Sequence, residues 1–179
     1  KAVPDGYTLL LVSSSYGANP SLYKLSFDPV SGFEPITLVS QQPFIAVVHP
    51  SLPVKTVKDL IALDKAKPGQ LTYGSSGNGA INHLAGELFK HMTGTRLIHV
   101  PYKGGGPAAV ALLSGEIGLI LGEPASMVGF IKAGKVRPIA VTTPKRALSF
   151  PELPTVEESG VAGYSVTSWN GMLAPAATP

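Results

Sequence analysis

The order of apolar segments along the chain predicts an α/β fold built on a parallel sheet with helices on both faces. Short runs with almost no polar residue, such as residues 44–48 (FIAVV) and 117–121 (IGLIL), are typical of strands buried on both sides. Segments with helical spacing lie between these runs, and strands that alternate with helices favour parallel pairing. The connections carry many of the 20 glycines and 17 prolines, so we expect them to be tight turns.

The predicted strands and helices follow one another at short intervals. Strands are predicted at residues 7–12, 44–48, 71–74, 96–100, 117–121 and 137–142, with a final extended run at 164–173. Helices are predicted at residues 57–66, 81–92, 108–113 and 124–131, with a short one from 155 to 160. Residues 33–39 are expected to enter a further strand.

Start and stop signals support these helices. Thr56 and Asp59 have the spacing of a capping box, and Thr155 repeats that pattern with Glu158. Pro107 suits the first position of a helix, and Gly134 suits the residue that ends one.

The composition describes a folded, core-rich chain and argues against several functions. Of the 179 residues, 44% are hydrophobic and only 14% are charged. Because the chain has no cysteine, disulfides and thiol chemistry play no part. A net charge of +3 on scattered basic residues gives no support to nucleic-acid binding. Since no apolar run reaches about 18 residues, no membrane span is expected.

The strongest functional signal is the small polar loop SSGNG between a predicted strand and a predicted helix. Its members are Ser75, Ser76, Gly77, Asn78 and Gly79. A helix N-terminus offers unpaired N–H groups and partial positive charge, and glycine lets a ligand approach the backbone closely. The loop therefore predicts a site for an anion or a carboxylate. The alternative is an ordinary strand–helix connection capped by Asn78.

Four loops leave the end of a predicted strand, and they begin near Ser13, Ser75, Tyr102 and Gly122. In parallel α/β sheets, ligands bind beside the carboxyl ends of the strands. We therefore expect these loops to converge on one binding site. The loop SSSYGANP at residues 13–20 is a weaker candidate, because serine runs are more often simple connections.

The residues offer little for catalysis or metal binding. Gly74-Ser75-Ser76-Gly77 does not fit the G-x-S-x-G pattern of a serine hydrolase. His83 and His91 do not share a helical face well, and His99 lies on a predicted strand, so we expect no metal site. No close carboxylate pair indicates acid–base catalysis. The balance favours binding, with no cofactor.

One enzymatic alternative stays open. Gly104, Gly106 and Ala109 approximate the G-x-G-x-x-A fingerprint of dinucleotide-binding proteins, and Glu123 lies where a ribose-binding acid can follow. This pattern is a weak match, since Pro107 is unusual inside it. It would make the protein an enzyme that uses NAD or another nucleotide.

Seven segments in order along the whole chain resemble the receptors of tripartite tricarboxylate transporters, known as the Bug family of periplasmic solute-binding proteins. The matching segments are PDGYTLL at residues 4–10, NPSLY at 19–23, VHPS at 48–51, GNG at 77–79 with HLAGELF at 83–89, VPYKG at 100–104, IKAGK at 131–135 and SWNGMLAP at 168–175. Each segment alone is weak, and together they are specific.

The resemblance implies a two-lobed, Venus-flytrap periplasmic-binding fold of which this chain is a fragment. Residues 1–40 would be part of the first lobe, without its N-terminal elements. Residues 41–164 would form a near-complete second α/β lobe. Residues 165–179 would return to the first lobe, without its C-terminal elements.

The resemblance also implies where a ligand is held. It carries a binding role to Ser14 and Ser15, to the SSGNG loop, and to Tyr102 and Gly104. Ser168 and Trp169 are added near the return to the first lobe. Glu123 departs from the family, where an Asp-Asn or Asp-Thr pair often stands, and it would place a negative charge near the ligand.

The implied function is that of an extracytoplasmic receptor. It would bind a di- or tricarboxylate, an amino acid or an aromatic acid, and deliver it to the permease subunits of a membrane transporter. Such a protein is expected to be monomeric and periplasmic, with a signal peptide in its precursor that this chain does not include. The same fold in a solute-responsive signalling adaptor is the alternative.

Overall fold

The chain forms two compact units in a computed structural model that describes residues 2–179. Of these residues, unit 1 contains 2–42 and Ser168–Pro179, and unit 2 contains Pro43–Thr167. The strands are β1 (Leu10–Ser13), β2 (Phe33–Pro43), β3 (Ile45–Val48), β4 (Thr72–Ser75), β5 (Ile98–Pro101), β6 (Leu119–Gly122), β7 (Arg137–Val141) and β8 (Thr167–Pro175). The helices are α1 (Ser15–Leu22), α2 (Val57–Ala66), α3 (Ile81–Thr93), α4 (Gly105–Ser114) and α5 (Pro124–Lys132).

Unit 2 is built on a five-stranded sheet with the order β5-β4-β6-β3-β7. β4 pairs in parallel with β5 and β6, whereas β3 pairs antiparallel with both β6 and β7. The prediction of an all-parallel sheet is therefore wrong for β3. The apolar sequence of β3 predicts that the strand is buried on both faces, but it does not predict the direction in which the strand runs.

The core of unit 2 lies on both faces of this sheet, which confirms the predicted α/β layering. On one face, Ala46 and Val48 of β3 pack in a cluster with Leu60 of α2 and Phe89 of α3. On the other face, Ile45 and Val47 pack in a cluster that includes Ala108 and Leu112 of α4 and Met127 of α5. Successive side chains of β3 thus alternate between two apolar layers.

The capping signals are confirmed more fully than the helices they introduce. Thr56 and Asp59 form the expected capping box at the start of α2. Thr155 and Glu158 also exchange both hydrogen bonds, at 2.9 and 3.0 Å, but only turns follow them. Val141 holds this segment along β7, because its N–H donates to Pro154 and its carbonyl accepts from Val156. The predicted helix at 155–160 is therefore absent.

One further helix and the starts of two elements also differ from the prediction. α1 occupies residues that were expected to be a loop, and it contains Pro20. β1 starts at Leu10, so residues 7–9 lie outside the strand that was predicted to include them. α4 begins at Gly105, which makes Pro107 its third residue and not its first.

Unit 1 is a three-stranded sheet with the order β1-β8-β2, in which β1 runs antiparallel to β8. Its buried apolar side chains are Val12 and Ala174, whereas Leu11, Ile36 and Leu38 are exposed. Unit 1 therefore has much less core than unit 2. Across residues 2–179, no helix combines the length and apolar character that crossing a bilayer requires.

α3 packs against the sheet of unit 2 at Gly86, where there is no space for a side chain. A Cβ placed on Gly86 would overlap the ring of Tyr73, which is fully buried on β4. The helix can approach β4 this closely because position 86 is glycine.

We expect Gly86→Ala to lower the free energy of unfolding by about 1–3 kcal/mol, because the methyl group must push α3 away from Tyr73. Urea denaturation of the full-length protein measures this loss. Gly129→Ala in α5 is the matched control, since a Cβ there meets nothing within 4 Å. The control should be neutral or stabilise by up to about 1 kcal/mol. Equal stability of the two variants would show that the contact at Gly86 is not tight.

Candidate functional site

Three of the four predicted loops meet at one edge of the unit 2 sheet. β5, β4 and β6 are neighbours that run in parallel, so their carboxyl ends at Pro101, Ser75 and Gly122 lie along the same edge. Ile45 at the start of β3 pairs with Gly122 and with Val141 at the end of β7. The fourth loop, after Ser13, belongs to the separate sheet of unit 1.

The loops after β4 and β5 are in direct contact. The N–H of Tyr102 donates to the carbonyl of Ser75 at 3.1 Å, and the N–H of Gly104 donates to the carbonyl of Ser76 at 3.0 Å. A Cβ placed on Gly105 would lie 3.7 Å from the hydroxyl oxygen of Ser76. Ser76 therefore stands beside the N-terminus of α4.

The SSGNG loop is held by its own hydrogen bonds. Ser75 is fully buried, and its hydroxyl oxygen accepts from the N–H of Gly77 at 3.1 Å and lies 2.6 Å from Nε2 of His99. The carbonyl of Gly77 accepts from the N–H of Ala80 at 3.2 Å. The side chain of Ser75 thus shapes the loop from inside and does not face a ligand.

Two residues of α3 bind the rest of the loop. Asn82 is buried, and its Oδ1 accepts from the N–H of Ser76 at 3.2 Å while its Nδ2 donates to the Ser76 hydroxyl at 3.1 Å. Nδ1 of His83 accepts from the N–H of Gly79 at 3.1 Å. The backbone N–H groups at 76, 77, 79 and 80 are therefore already used, contrary to the expectation that this loop presents them unpaired.

Other donors stand at the same place. Gly105 and Gly106 are the first two residues of α4, where a backbone N–H has no carbonyl partner in the helix. The hydroxyl of Ser76 accepts from Asn82, and within residues 2–179 its own proton has no acceptor. These three donors form the anion-binding feature that remains. Sequence reasoning missed Gly105 and Gly106, although the run of three glycines before Pro107 was the available signal.

Gly77 and Gly79 are required by backbone conformation, since their φ angles are +139° and +77°. Other residues are strained there. Gly79 is buried and Asn78 is exposed, so Asn78 is the residue of this pair that reaches solvent.

Tyr102 uses its hydroxyl elsewhere. The hydroxyl donates to Oε1 of Glu116 at 2.8 Å, and its ring borders the space above Gly74. Burial together with the hydrogen bond and negative charge of Glu116 raises the pKa of Tyr102 to about 12. Because its single proton is committed, the Tyr102 side chain supports the loop and is not a donor for an anion.

Glu123 brings a carboxylate to this edge. It precedes the first residue of α5 and is exposed, and its carbonyl accepts from both the N–H and the hydroxyl of Ser126. A Cβ on the preceding Gly122 would overlap Met127. Close packing of α5 therefore fixes where the chain turns and where Glu123 emerges.

The strand order speaks against a dinucleotide site. β4 lies between β5 and β6, so Glu123 at the end of β6 is two strands from the glycines that follow β5. With about 4.8 Å between neighbouring strands, this separation is about 10 Å at the sheet edge. The fingerprint requires the acid on a strand adjacent to the glycine turn.

Residues 2–179 contain no cluster of three or more His, Cys, Asp or Glu side chains suited to a metal ion.

The four candidate residues of unit 1 lie where β1 and β8 pair. The N–H of Ser14 donates to the carbonyl of Trp169 at 2.9 Å, and Ser168 is buried beside it in sequence. Ser14 and Ser15 stand at the N-terminus of α1. Ser14 is only 5% exposed, and its hydroxyl oxygen has no hydrogen-bond partner among residues 2–179. A buried hydroxyl without a partner is uncommon and invites a ligand or water.

The profile of the tripartite tricarboxylate transporter family receptor matches residues 1–179. The chain belongs to this receptor family. Protein BugT of Bordetella pertussis is 34% identical over 181 residues, which covers 99% of this chain and 56% of that protein. The chain spans about half the length of the curated relatives it matches.

Solved structures of similar proteins share this architecture. Rpa4515 of R. palustris, solved with adipate, is 38% identical with a TM-score of 0.94, and the match covers 100% of this chain and 60% of that one. MatC from Rhodopseudomonas palustris with bound malate is 27% identical with a TM-score of 0.89, over 99% of this chain and 61% of that one. These matches confirm the predicted periplasmic-binding-protein fold. A protein of this family from Polaromonas is described as a solute-binding protein, and the family match gives no support to the enzymatic alternative.

For this receptor we expect Asn82→Ala to lower the free energy of unfolding by about 1–3 kcal/mol, because the Ser76 N–H loses its acceptor in a half-buried loop. Amide exchange at Ser76 should also become faster. Urea denaturation and hydrogen exchange measure the two effects. Asn170→Ala is the control, since Asn170 makes an exposed bond to Ser40 and should cost no more than about 0.5 kcal/mol. An unchanged exchange rate at Ser76 would contradict the assigned role of Asn82.

Proposed function

We propose that the full-length protein is an extracytoplasmic receptor that captures a small carboxylate and delivers it to a membrane permease. One observation carries this proposal. The Ser76 hydroxyl lies beside Gly105 and Gly106 at the carboxyl edge of the unit 2 sheet, where the first N–H groups of α4 have no carbonyl partner within the helix. Neutral donors in this arrangement favour an anion without adding a charged side chain.

The family and its solved relatives support the ligand class. The relatives solved with adipate and malate hold dicarboxylates, so we propose a small carboxylic acid here, from among di- and tricarboxylates, amino acids and aromatic acids. Glu123 would disfavour a second negative charge near α5. A ligand that presents an amine or another donor at that position would be favoured by this charge.

We propose ligand contacts in each unit, taken separately. In unit 2 the ligand would contact Ser76, Asn78 and the glycines of both loops, while Ser75 and Tyr102 support those loops from behind. In unit 1 the buried hydroxyl of Ser14 supports a contact, since it has no hydrogen-bond partner within residues 2–179. Its neighbour Ser15 and the return segment at Ser168 and Trp169 complete the residues proposed for unit 1.

The cellular role follows from the family. We propose a periplasmic, monomeric receptor whose lobes correspond to residues 1–40 with 165–179 and to residues 41–164. The apolar side chains that unit 1 exposes support the view that further segments complete the first lobe. Partner recognition by the permease subunits would follow capture of the solute by hinge closure.

A thermal-shift screen of the full-length protein tests the proposed function. The panel contains mono-, di- and tricarboxylates, amino acids and aromatic acids, with NAD and ATP as controls. A ligand at about 100 times its Kd adds about 2.7 kcal/mol to the free energy of unfolding, which raises Tm by several degrees. A shift with one class of carboxylate is the expected result. A shift with a nucleotide and with no carboxylate would refute the receptor proposal.

Ser76→Asp tests the position of the site, and Ser76→Asn is its neutral control of equal size. Both variants remove the hydroxyl, so the difference between them isolates charge. A carboxylate within about 5 Å of a bound anion costs several kcal/mol in a partly buried site, so Ser76→Asp should weaken binding at least about tenfold more than Ser76→Asn. Isothermal titration with the ligand found in the screen measures both affinities. Equal affinities would place the anion away from Ser76.

A further inference from the structure

A pair of stacked histidines holds both ends of the SSGNG loop. Nε2 of His99 lies 2.6 Å from the hydroxyl oxygen of Ser75 at the start of the loop. Nδ1 of His83 accepts from the N–H of Gly79 at the end of the loop, at 3.1 Å. The two rings stack with centroids 3.9 Å apart and planes 20° apart. The stacked pair, which we call the histidine clasp, therefore connects β5 to α3 and holds both ends of the loop.

The bond to Gly79 requires His83 to be unprotonated at Nδ1. A backbone N–H can only donate, so Nδ1 must offer a lone pair. A proton added to His83 would go to this nitrogen, because the neutral ring that accepts at Nδ1 already carries its proton at Nε2. Protonation of His83 therefore breaks the bond to Gly79 and leaves the N–H of a buried glycine without an acceptor.

His99 resists a positive charge for related reasons. Burial lowers the pKa of His99, and the neighbouring His83 and Lys90 lower it further, while Glu87 acts in the opposite direction. The ring of His99 stacks on that of His83 with centroids 3.9 Å apart, so two protonated rings would repel each other strongly. The stacked arrangement therefore favours two neutral rings.

The other charged and titratable groups around the pair already have partners. Oε1 of Glu87 accepts from the hydroxyl of Tyr73 at 2.7 Å and from Nζ of Lys90 at 2.7 Å, and it lies 4.0 Å from Nε2 of His83. Burial opposes the charge on Glu87, but the bonds from Lys90 and Tyr73 outweigh it and hold the pKa of Glu87 below its ordinary value. The Tyr73 ring packs against His99 at 5.0 Å, and burial raises the pKa of Tyr73 far above its ordinary value. These interactions therefore favour a charged Glu87 and a neutral Tyr73 beside the two rings.

We propose that His83 and His99 are positioning residues for the SSGNG loop, and that the bond from Gly79 holds only while Nδ1 of His83 is unprotonated, so that acid releases the Gly79 end of the loop. The direction follows from linkage. A folded state that favours the neutral ring is stabilised above the ordinary histidine pKa of about 6.5, and this stabilisation is lost as the pH falls below it. The loop carries Ser76, so its release also displaces a proposed ligand donor. This consequence for affinity rests on the proposed function.

The first test needs no ligand. Amide hydrogen exchange of the full-length protein is followed by NMR between about pH 8 and about pH 5.5, a range that crosses the ordinary histidine pKa. The protection factor of Gly79 is expected to fall at acid pH. The Val141 N–H on β7, which donates to the carbonyl of Pro154 at 2.9 Å and lies three strands away from β4, is the internal reference and should keep its protection.

Matched variants distinguish a hydrogen-bonding role of His83 and His99 from a role in packing alone. His83→Asn keeps an acceptor near the place of Nδ1 and cannot titrate, so it should retain the protection of Gly79 and lose its pH dependence. His99→Gln should likewise keep a hydrogen-bonding group near Ser75. His91→Asn changes an exposed histidine of the same helix and should leave the pH profile as it is. A Gly79 protection factor that stays constant with pH in the unmodified protein would overturn the proposal.

Affinities for adipate and malate, measured by calorimetry across the same pH range, give the second test. If binding needs the neutral ring of His83, Kd is expected to rise toward acid pH by up to about tenfold per pH unit, the limit for coupling to a single proton. His83→Asn corrects for protonation of the probes themselves, and its profile should be flatter than that of the unmodified protein. Tighter binding at acid pH, beyond that of His83→Asn, would mean that the histidines attract the anion and would overturn the proposal. Absence of binding at every pH, with the Gly79 effect intact, would count against the ligand class and support the clasp.

Discussion

The contact between Tyr73 and Gly86 is the constraint on which the rest of unit 2 depends. Because position 86 has no side chain, α3 lies directly on the buried ring of Tyr73. This close approach sets the height of α3 above the sheet and thereby places Asn82 and His83 beneath the loop after β4. The Tyr73 hydroxyl extends the same contact to Glu87. A packing requirement in the core thus determines the geometry of the candidate site.

One of the two neighbouring loops is held rigid by its own hydrogen bonds, and the other offers hydrogen-bond donors. The SSGNG loop uses its N–H groups to hold its own shape, through Ser75, Asn82 and His83. The neighbouring N-terminus of α4 keeps its first N–H groups unpaired and lies next to Ser76. A fixed loop beside an open helix end is a preorganised arrangement, since little reordering is needed when an anion arrives. The division of roles fits the proposed function of the chain within the tripartite tricarboxylate transporter receptor family.

The fold was largely predictable from the sequence, but strand direction was not. Continuous apolar runs located β3, β6 and β7, and capping signals located α2, because burial and caps leave direct marks on local sequence. The antiparallel course of β3 left no such mark, since a strand buried on both faces has the same composition in either direction. The helix predicted after Thr155 failed because pairing with Val141 outweighed a correct capping box.

The sequence by itself determined the α/β layering, the family, and the polar loops at the strand ends, because each of these rests on residue types in a local pattern. Only the tertiary structure decided which donors in those loops are free. The Ser75 hydroxyl faces His99, the Tyr102 hydroxyl donates a hydrogen bond to Glu116, and the N–H groups of Gly105 and Gly106 stand at the start of α4, where the helix offers them no carbonyl. The physical reason is that a donor is available only when no acceptor lies within reach. Its acceptors come from strands and helices that are distant in the chain, so they appear only when the sheet is assembled.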